Sequence, residues 1–172
     1  MKLSQITKIA ISQAKRAMSK NDVPIGAVVF NQSEVISKAY NNVVSKKNPL
    51  GHTEIIALQK ASKKLMRTNL MDYSLYVTLE PCIICCYIIS RFKIGSLYFG
   101  SYDTVHGSIQ NGDKVFINAK NIYKPQVYGG IGEKESSALL CSFFKKIRKN
   151  SWSNISSEKI SLPIYFITNI VR

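Results

Sequence analysis

Residues 74–91 read SLYVTLEPCIICCYIISR, and this stretch decides the fold. Its first six residues are rich in aromatic and β-branched side chains, which predicts a strand over residues 74–79. Pro81 suits the first turn of a helix, where its missing N–H is not needed, and that helix is predicted to run to about Arg91. Because the helix is apolar nearly all round, we expect it to be buried.

The segments on either side of this stretch predict a mixed sheet. The chain opens with a helix over residues 3–18, whose apolar residues recur at three- and four-residue steps, and two antiparallel strands follow. The other predicted elements are a helix over residues 52–67, strands over 95–100 and 124–128, and a closing helix over 133–149. This order predicts an α/β fold with helices on both faces of one sheet.

The chain of 172 residues is long enough for one domain with a full hydrophobic core. We assign residues 1–150 to this domain and residues 151–172 to a C-terminal extension of unknown role, either an added edge strand or a disordered extension. The apolar segment of the extension, residues 162–171, is far shorter than the roughly 20 residues of a membrane helix, so no membrane association is expected.

The charge of the chain indicates which partners it can bind, and its cysteines indicate the cellular compartment. Lys and Arg number 24 against 10 Asp and Glu, and the net charge of +14 makes nucleic acids or anionic membrane surfaces plausible partners. Three of the four cysteines fall within five consecutive positions, so a framework of long-range disulfides is a poor explanation. Without a visible secretory signal, we expect a cytoplasmic protein whose reduced thiols are available for metal.

Two predicted helix starts carry a zinc-binding pattern. His52-Thr53-Glu54 opens one helix, and Pro81-Cys82-Ile83-Ile84-Cys85 opens the next about 30 residues later. Cys82 and Cys85 are three apart, so their sulfurs lie on one face of a helix whose N-terminus favours thiolates. One His and two Cys form a three-ligand zinc set that leaves the fourth position for water. Glu54 is predicted to stand beside the metal and move a proton from that water to a leaving group.

Other interpretations of the cysteines stay open. A Cys-x-x-Cys pair between strand and helix also occurs as a thioredoxin-like redox pair, although His52 and Glu54 then have no role. A purely structural zinc site would need a fourth protein ligand. Cys86 lies about 100° round the helix from Cys85 and is interpreted as a core thiol, as is Cys141.

The pattern His-x-Glu followed by Pro-Cys-x-x-Cys resembles the cytidine deaminase-like superfamily of zinc deaminases. Within it, the chain is most similar to the branch of bacterial tRNA-specific adenosine deaminases, from about residue 3 to residue 150. The segments that carry the similarity are VPIGAV (23–28), Asn41, HTEI (52–55), LYVTLEPC (75–82), Phe99-Gly100, Asp103 and Phe143-Phe144.

The resemblance implies a three-layer α/β/α sandwich around a mainly five-stranded mixed sheet, one Zn²⁺ per subunit, and a homodimer that contacts tRNA with both subunits. The implied reaction is hydrolytic deamination of adenosine to inosine at the wobble position of the tRNA anticodon stem-loop. By the same resemblance, His52, Cys82 and Cys85 hold zinc and Glu54 shuttles protons. Four residues are implied to contact the substrate: Asn41 on the flipped nucleotide, Thr53 next to the base where the branch usually has Ala, Asp103 on the anticodon loop, and Phe144 lining the pocket.

Two other functions stay open. A deaminase of a free base or nucleotide, such as guanine, cytosine or deoxycytidylate, uses the same metal set on the same fold. An inactive RNA-binding subunit that keeps zinc only for structure would have no need of Glu54. A large RNA substrate is favoured by basic residues that could hold its phosphates, namely Lys60, Lys63, Lys64, Arg67 and residues 145–149.

Overall fold

Helices cover both faces of a single sheet in the computed structural model, which describes residues 2–154 and the side chains of residues 2–149. In chain order the elements are α1 (Leu3–Met18), β1 (Gly26–Phe30), β2 (Val35–Tyr40), α2 (Thr53–Leu65), β3 (Ser74–Leu79), α3 (Ile83–Arg91), β4 (Ser96–Ser101), α4 (Val115–Asn118), β5 (Gln126–Tyr128) and α5 (Glu133–Asn154).

The sheet has five strands in the order β2-β1-β3-β4-β5. β1 runs antiparallel to both of its neighbours, whereas β3, β4 and β5 are parallel to one another. The parallel strands are joined by helical crossovers, which place helices on the faces of the sheet. The predicted α/β fold with a five-stranded mixed sheet is confirmed.

The hydrophobic core lies in two layers because side chains alternate along each strand. In β3, Leu75 and Val77 belong to the larger core cluster, under α2 and α3, while Tyr76 belongs to the smaller cluster under α1. α5 packs beside α1 and against β3 and β4. Every residue of β1 is buried, since this strand has a neighbour on each side and a helix layer on each face.

Gly26 allows an unusually close approach of α1 to the sheet. A Cβ atom at this position would collide with the backbone of Ala10 and Ala14, so only glycine fits. Gly26 also pairs with Tyr40 across the β1–β2 ladder. The close packing therefore brings the last turns of α1 next to the end of β2.

Three expectations about burial and element bounds are corrected. The first turn of α3 is not buried all round, because Ile83, Ile84 and Tyr87 are 41%, 50% and 45% exposed. Cys141 is exposed on α5 and is therefore not a core thiol, whereas Cys86 is fully buried as predicted. α5 runs to Asn154, whereas the closing helix was predicted to end at residue 149.

The remainder of the predicted extension, residues 155–172, lies outside the described residues. Within residues 2–154, no helix combines the length and the apolar character that crossing a membrane requires.

Candidate active site

The starts of α2 and α3 meet beyond the end of β3 and bring the predicted metal ligands together. His52 immediately precedes α2, Cys82 immediately precedes α3, and Cys85 lies in the first turn of α3. The Nδ1 atom of His52 lies 3.7 Å from the Sγ atom of Cys82 and 3.5 Å from that of Cys85. Donor atoms that bind one tetrahedral Zn²⁺ at about 2.0–2.3 Å lie about 3.5 Å from one another. The spacing of these three donors therefore fits a tetrahedral metal ion, and no other such group exists among the described residues.

The two cysteines present a negative charge at this point. A hydrogen bond from the Cys85 thiol lowers the pKa of Cys82 to about 4, against the effect of burial, and His52 lowers it further. The same hydrogen bond raises the pKa of Cys85, and the hydrogen bond to Cys82 raises the pKa of His52. A thiolate is the form of cysteine that binds metal, so the charge distribution favours a cation here.

Glu54 is buried beside the three donors without being one of them. It lies in the first turn of α2, is 5% exposed, and its carboxyl hydrogen-bonds Cys85. Burial, and after it the negative charge of Cys82, raises the pKa of Glu54 to about 7. A carboxyl with this pKa can both accept and donate a proton near neutral pH, as a proton shuttle must.

Glu80 is a residue of the site that the sequence analysis did not single out. Its buried carboxylate accepts five hydrogen bonds from the loop that follows β4, donated by the backbone N–H groups of Asp103, Ile109, Gln110 and Asn111 and by the side-chain amide of Asn111. Burial raises the pKa of Glu80, but these hydrogen bonds outweigh that effect and hold the pKa below its usual range. The signal in the sequence was a carboxylate between a buried strand and a metal-binding Pro-Cys pair.

Glu80 fixes this loop, residues 102–112, against the metal-binding segment. The N–H of Ser108 donates to the Pro81 carbonyl at 3.0 Å, and Gly107 forms a β-bridge with Cys82. A Cβ atom on Gly107 would collide with the Glu80 carboxyl, so only glycine fits. The loop is therefore held in place next to a predicted zinc ligand by contacts of the protein itself.

Asn41 and Asp103 lie in two loops that reach the metal-binding group. Asn41 is 5% exposed, and its side-chain amide has no hydrogen-bond partner within the described part of the chain. The next residue, Asn42, donates its N–H to the carbonyl of Gly51, which directly precedes His52. The carboxylate of Asp103 accepts the N–H groups of Val105 and His106 and so closes a turn in the 102–112 loop.

The other two predicted substrate contacts differ in position. Thr53 lies between His52 and Glu54 and is 1% exposed, and its hydroxyl has no hydrogen-bond partner among the residues that the structure describes. Phe144 is half-buried on α5, with its ring edge-to-face against Phe143. Within residues 2–154, α5 contacts neither α2 nor α3, so Phe144 is not brought next to the metal-binding group. The substrate roles of all four residues stay predictions.

Residues 1–148 match the MafB19-like deaminase family. The chain belongs to this family. It is 41% identical over 141 residues to a tRNA-specific adenosine deaminase of Rickettsia bellii, a match that spans 81% of this chain and 97% of the relative. It is 38% identical over 149 residues to a tRNA-specific adenosine deaminase of Aquifex aeolicus, with 83% and 94% of the two chains covered.

Structural comparison agrees with the sequence relatives of this MafB19-like deaminase. A solved structure from a study of A-to-I editing at the wobble position of transfer RNA matches with a TM-score of 0.77 and 33% identity. The match covers 80% of this chain and 99% of the other. The predicted resemblance to tRNA-specific adenosine deaminases within the cytidine deaminase-like fold is confirmed.

Proposed function

We propose that this chain is a zinc-dependent hydrolase that converts adenosine to inosine at the wobble position of a tRNA anticodon. The observation that carries the proposal is the convergence of His52, Cys82 and Cys85 beside the buried carboxyl of Glu54, in a deaminase whose relatives act on tRNA. The net charge of +14 suits a polyanionic substrate, and the free cysteines suit the cytoplasm, where tRNA is found.

The residues of the site supply the proton transfers of the reaction. Zinc, when bound by His52, Cys82 and Cys85, supplies a water of lowered pKa, as in the known zinc deaminases. The carboxylate of Glu54 would accept a proton from the attacking water, whose oxygen adds to C6 of the adenine ring, and would pass this proton to N1. Glu54 would then move the second water proton, from the new C6 hydroxyl, to the departing amine, so that adenosine and water become inosine and ammonia.

The two loops beside the metal-binding group are proposed to hold the nucleotide. An unpaired nucleotide of a folded loop costs least to extrude into a pocket. The side-chain amide of Asn41, a residue that is 5% exposed, would hydrogen-bond that nucleotide. Asp103 would position the anticodon loop, and Thr53 would lie by the base. Phe144 would line the pocket in the homodimer proposed below.

The reaction is tested with an anticodon stem-loop that has adenosine at the wobble position. Purified, zinc-loaded protein is assayed for inosine and for ammonia, with free adenosine, guanine, cytosine and deoxycytidylate assayed in parallel. We expect inosine in the stem-loop and no turnover of the small molecules. Ammonia from a free base or nucleotide alone would retain the zinc chemistry and contradict the tRNA substrate.

A homodimer is the second part of the proposal. Ile83, Ile84 and Tyr87 form one exposed apolar face on α3, directly after the ligand Cys82. Contiguous exposed apolar residues mark interaction surfaces, and a second copy of this chain is the proposed occupant. We expect light scattering to give a dimer mass, and Ile84→Lys to shift the protein toward a monomer. Ile117→Lys, at an isoleucine that is 69% exposed on α4, is the matched control and should leave the mass unchanged.

A further inference from the structure

Two cationic side chains contact one tyrosine at the end of β2, and the charge of a third acts on the same tyrosine. The ammonium of Lys20 donates a hydrogen bond to the Tyr40 hydroxyl at 2.7 Å and lies 4.9 Å from the centre of its ring. The guanidinium of Arg16 also lies 4.9 Å from this ring centre. The hydrogen bond from Lys20 lowers the pKa of Tyr40, and the charges of Lys20, Arg16 and Lys46 act in the same direction. We call Arg16, Lys20 and Lys46 the Tyr40 basic cluster.

No carboxylate neutralises this cluster within the part of the chain that the structure describes. The two ion pairs found there are Lys64–Glu34 and Arg67–Asp72, both on the side of α2. The acid closest in sequence, Asp22, is fully buried and accepts the N–H groups of Val44 and Ser45. Like charges held together without a counter-ion raise the local potential and attract an anion.

The cluster borders the proposed nucleotide pocket. Tyr40 directly precedes Asn41, and the hydrogen bond from Asn42 to Gly51 connects this segment to His52. Lys46 lies in the same loop, which Asp22 holds in place through Val44 and Ser45. By contrast, Lys64 and Arg67, which the sequence suggested as phosphate contacts, already have carboxylate partners.

We propose that the Tyr40 basic cluster binds a backbone phosphate of the RNA substrate beside the extruded nucleotide. This inference rests on the proposed function, since it assumes a nucleic-acid substrate. A phosphate could also belong to a free nucleotide. The continuity of the cluster with a loop on the rim of the pocket favours a phosphodiester of a longer chain that continues past the site.

The test measures binding of a fluorescent anticodon stem-loop at salt concentrations between about 50 and 200 mM. Lys20→Gln with Lys46→Gln is compared with Lys93→Gln with Lys124→Gln. The control lysines precede β4 and β5 and lie at the end of the sheet opposite the metal-binding group. We expect the cluster variant to bind about 10-fold more weakly and to reduce the magnitude of the slope of log K against log salt by about 0.7–0.9, the amount that corresponds to one lost phosphate contact.

Each outcome separates this inference from the proposed function. Binding and salt slope equal to those of the control variant would overturn the phosphate site, even if the wild type makes inosine. Loss of binding without any inosine in the wild type would overturn the proposed function alone. If the cluster variant binds adenosine 5′-monophosphate more weakly but binds the stem-loop like the wild type, the cluster binds the phosphate of a free nucleotide. That result would overturn the proposed contact with an RNA phosphate. Lys20→Arg with Lys46→Arg, which keeps both charges, should bind like the wild type.

Discussion

Thr53 and Glu54 are consecutive buried residues that bring polar groups into the wall of the site. The carboxyl of Glu54 hydrogen-bonds Cys85, and its raised pKa suits proton transfer. The hydroxyl of Thr53 is enclosed without a hydrogen-bond partner in residues 2–154. A buried polar group without a hydrogen bond destabilises a fold. We therefore expect Glu54 to be needed for activity and the Thr53 hydroxyl to reduce stability.

Glu54→Gln should abolish deamination and leave metal binding intact. The amide cannot take a proton from water, so we expect the rate to fall by about 100- to 10,000-fold or more. Zinc content, measured by atomic spectroscopy, and stem-loop affinity should stay at the wild-type level because Glu54 is not one of the three donors. A variant with wild-type ammonia release would show that another group moves the proton.

Thr53→Val should stabilise the protein. Valine keeps the shape of threonine and removes the enclosed hydroxyl. We expect this change to raise the free energy of unfolding by about 1–3 kcal/mol. Thr53→Ser is the matched control, since it keeps the hydroxyl, loses a methyl group and should be less stable than the wild type. If chemical denaturation shows Thr53→Val to be less stable, or if deamination is lost, the hydroxyl has a partner in the working enzyme.

Tyr40 should ionise below the usual pH for tyrosine, and Lys20→Gln should move its pKa back upward. The Lys20 ammonium favours tyrosinate in the folded protein, so the folded pKa is lower than the unfolded one. The resulting stabilisation is present above the unfolded pKa of about 10 and is lost as the pH falls through the folded pKa. Absorbance titration of tyrosinate in the wild type, the Lys20→Gln variant and a Tyr40→Phe control measures this shift, and identical curves for the first two proteins would contradict it.

At the scale of elements, Glu80 controls the order of the 102–112 loop. Glu80→Gln would place an amide NH₂ against N–H groups that now donate to a carboxylate, and we expect a loss of about 2–3 kcal/mol in the free energy of unfolding. Protease cleavage within the loop should also become faster. Asn111→Ala removes only the side-chain hydrogen bond and leaves the backbone ones, so it should have a smaller effect. Equal protease resistance in all three proteins would contradict this role.

Sequence patterns predicted those elements whose periodicity extends over several residues. The strand-to-helix stretch 74–91 and the grouping of His52, Cys82 and Cys85 were predicted because strand composition, the position of Pro81 and the spacing of the cysteines are local signals. α4 was not predicted, since a single turn over Val115–Asn118 carries no periodicity. The exposed face of α3 was missed because an apolar residue has the same sequence signal in a core as at an interface. The role of Glu80 was not predicted, because its hydrogen bonds to the 102–112 loop join residues that are 23 to 31 positions apart in the chain.

For the whole molecule, removal of metal should lower stability as well as abolish activity. An ion that binds only the folded protein stabilises it by mass action. We expect a chelator to lower the melting temperature of the wild type and Cys82→Ala to lose both metal and stability. Cys141→Ala, at an exposed cysteine outside the metal-binding group, is the control and should retain both. An unchanged melting temperature after complete chelation would show that the site does not support the fold.

The placement of the ligands also has a consequence for chain connectivity. His52 and Cys82 are 30 residues apart, and β3 lies between them. An ion that joins them closes this segment into a ring in the folded protein, so the chain can unfold completely only after the ion has left. One bound ion would thus both take part in the chemistry of the site and reversibly link the two ends of the segment that contains β3, the middle strand of the sheet.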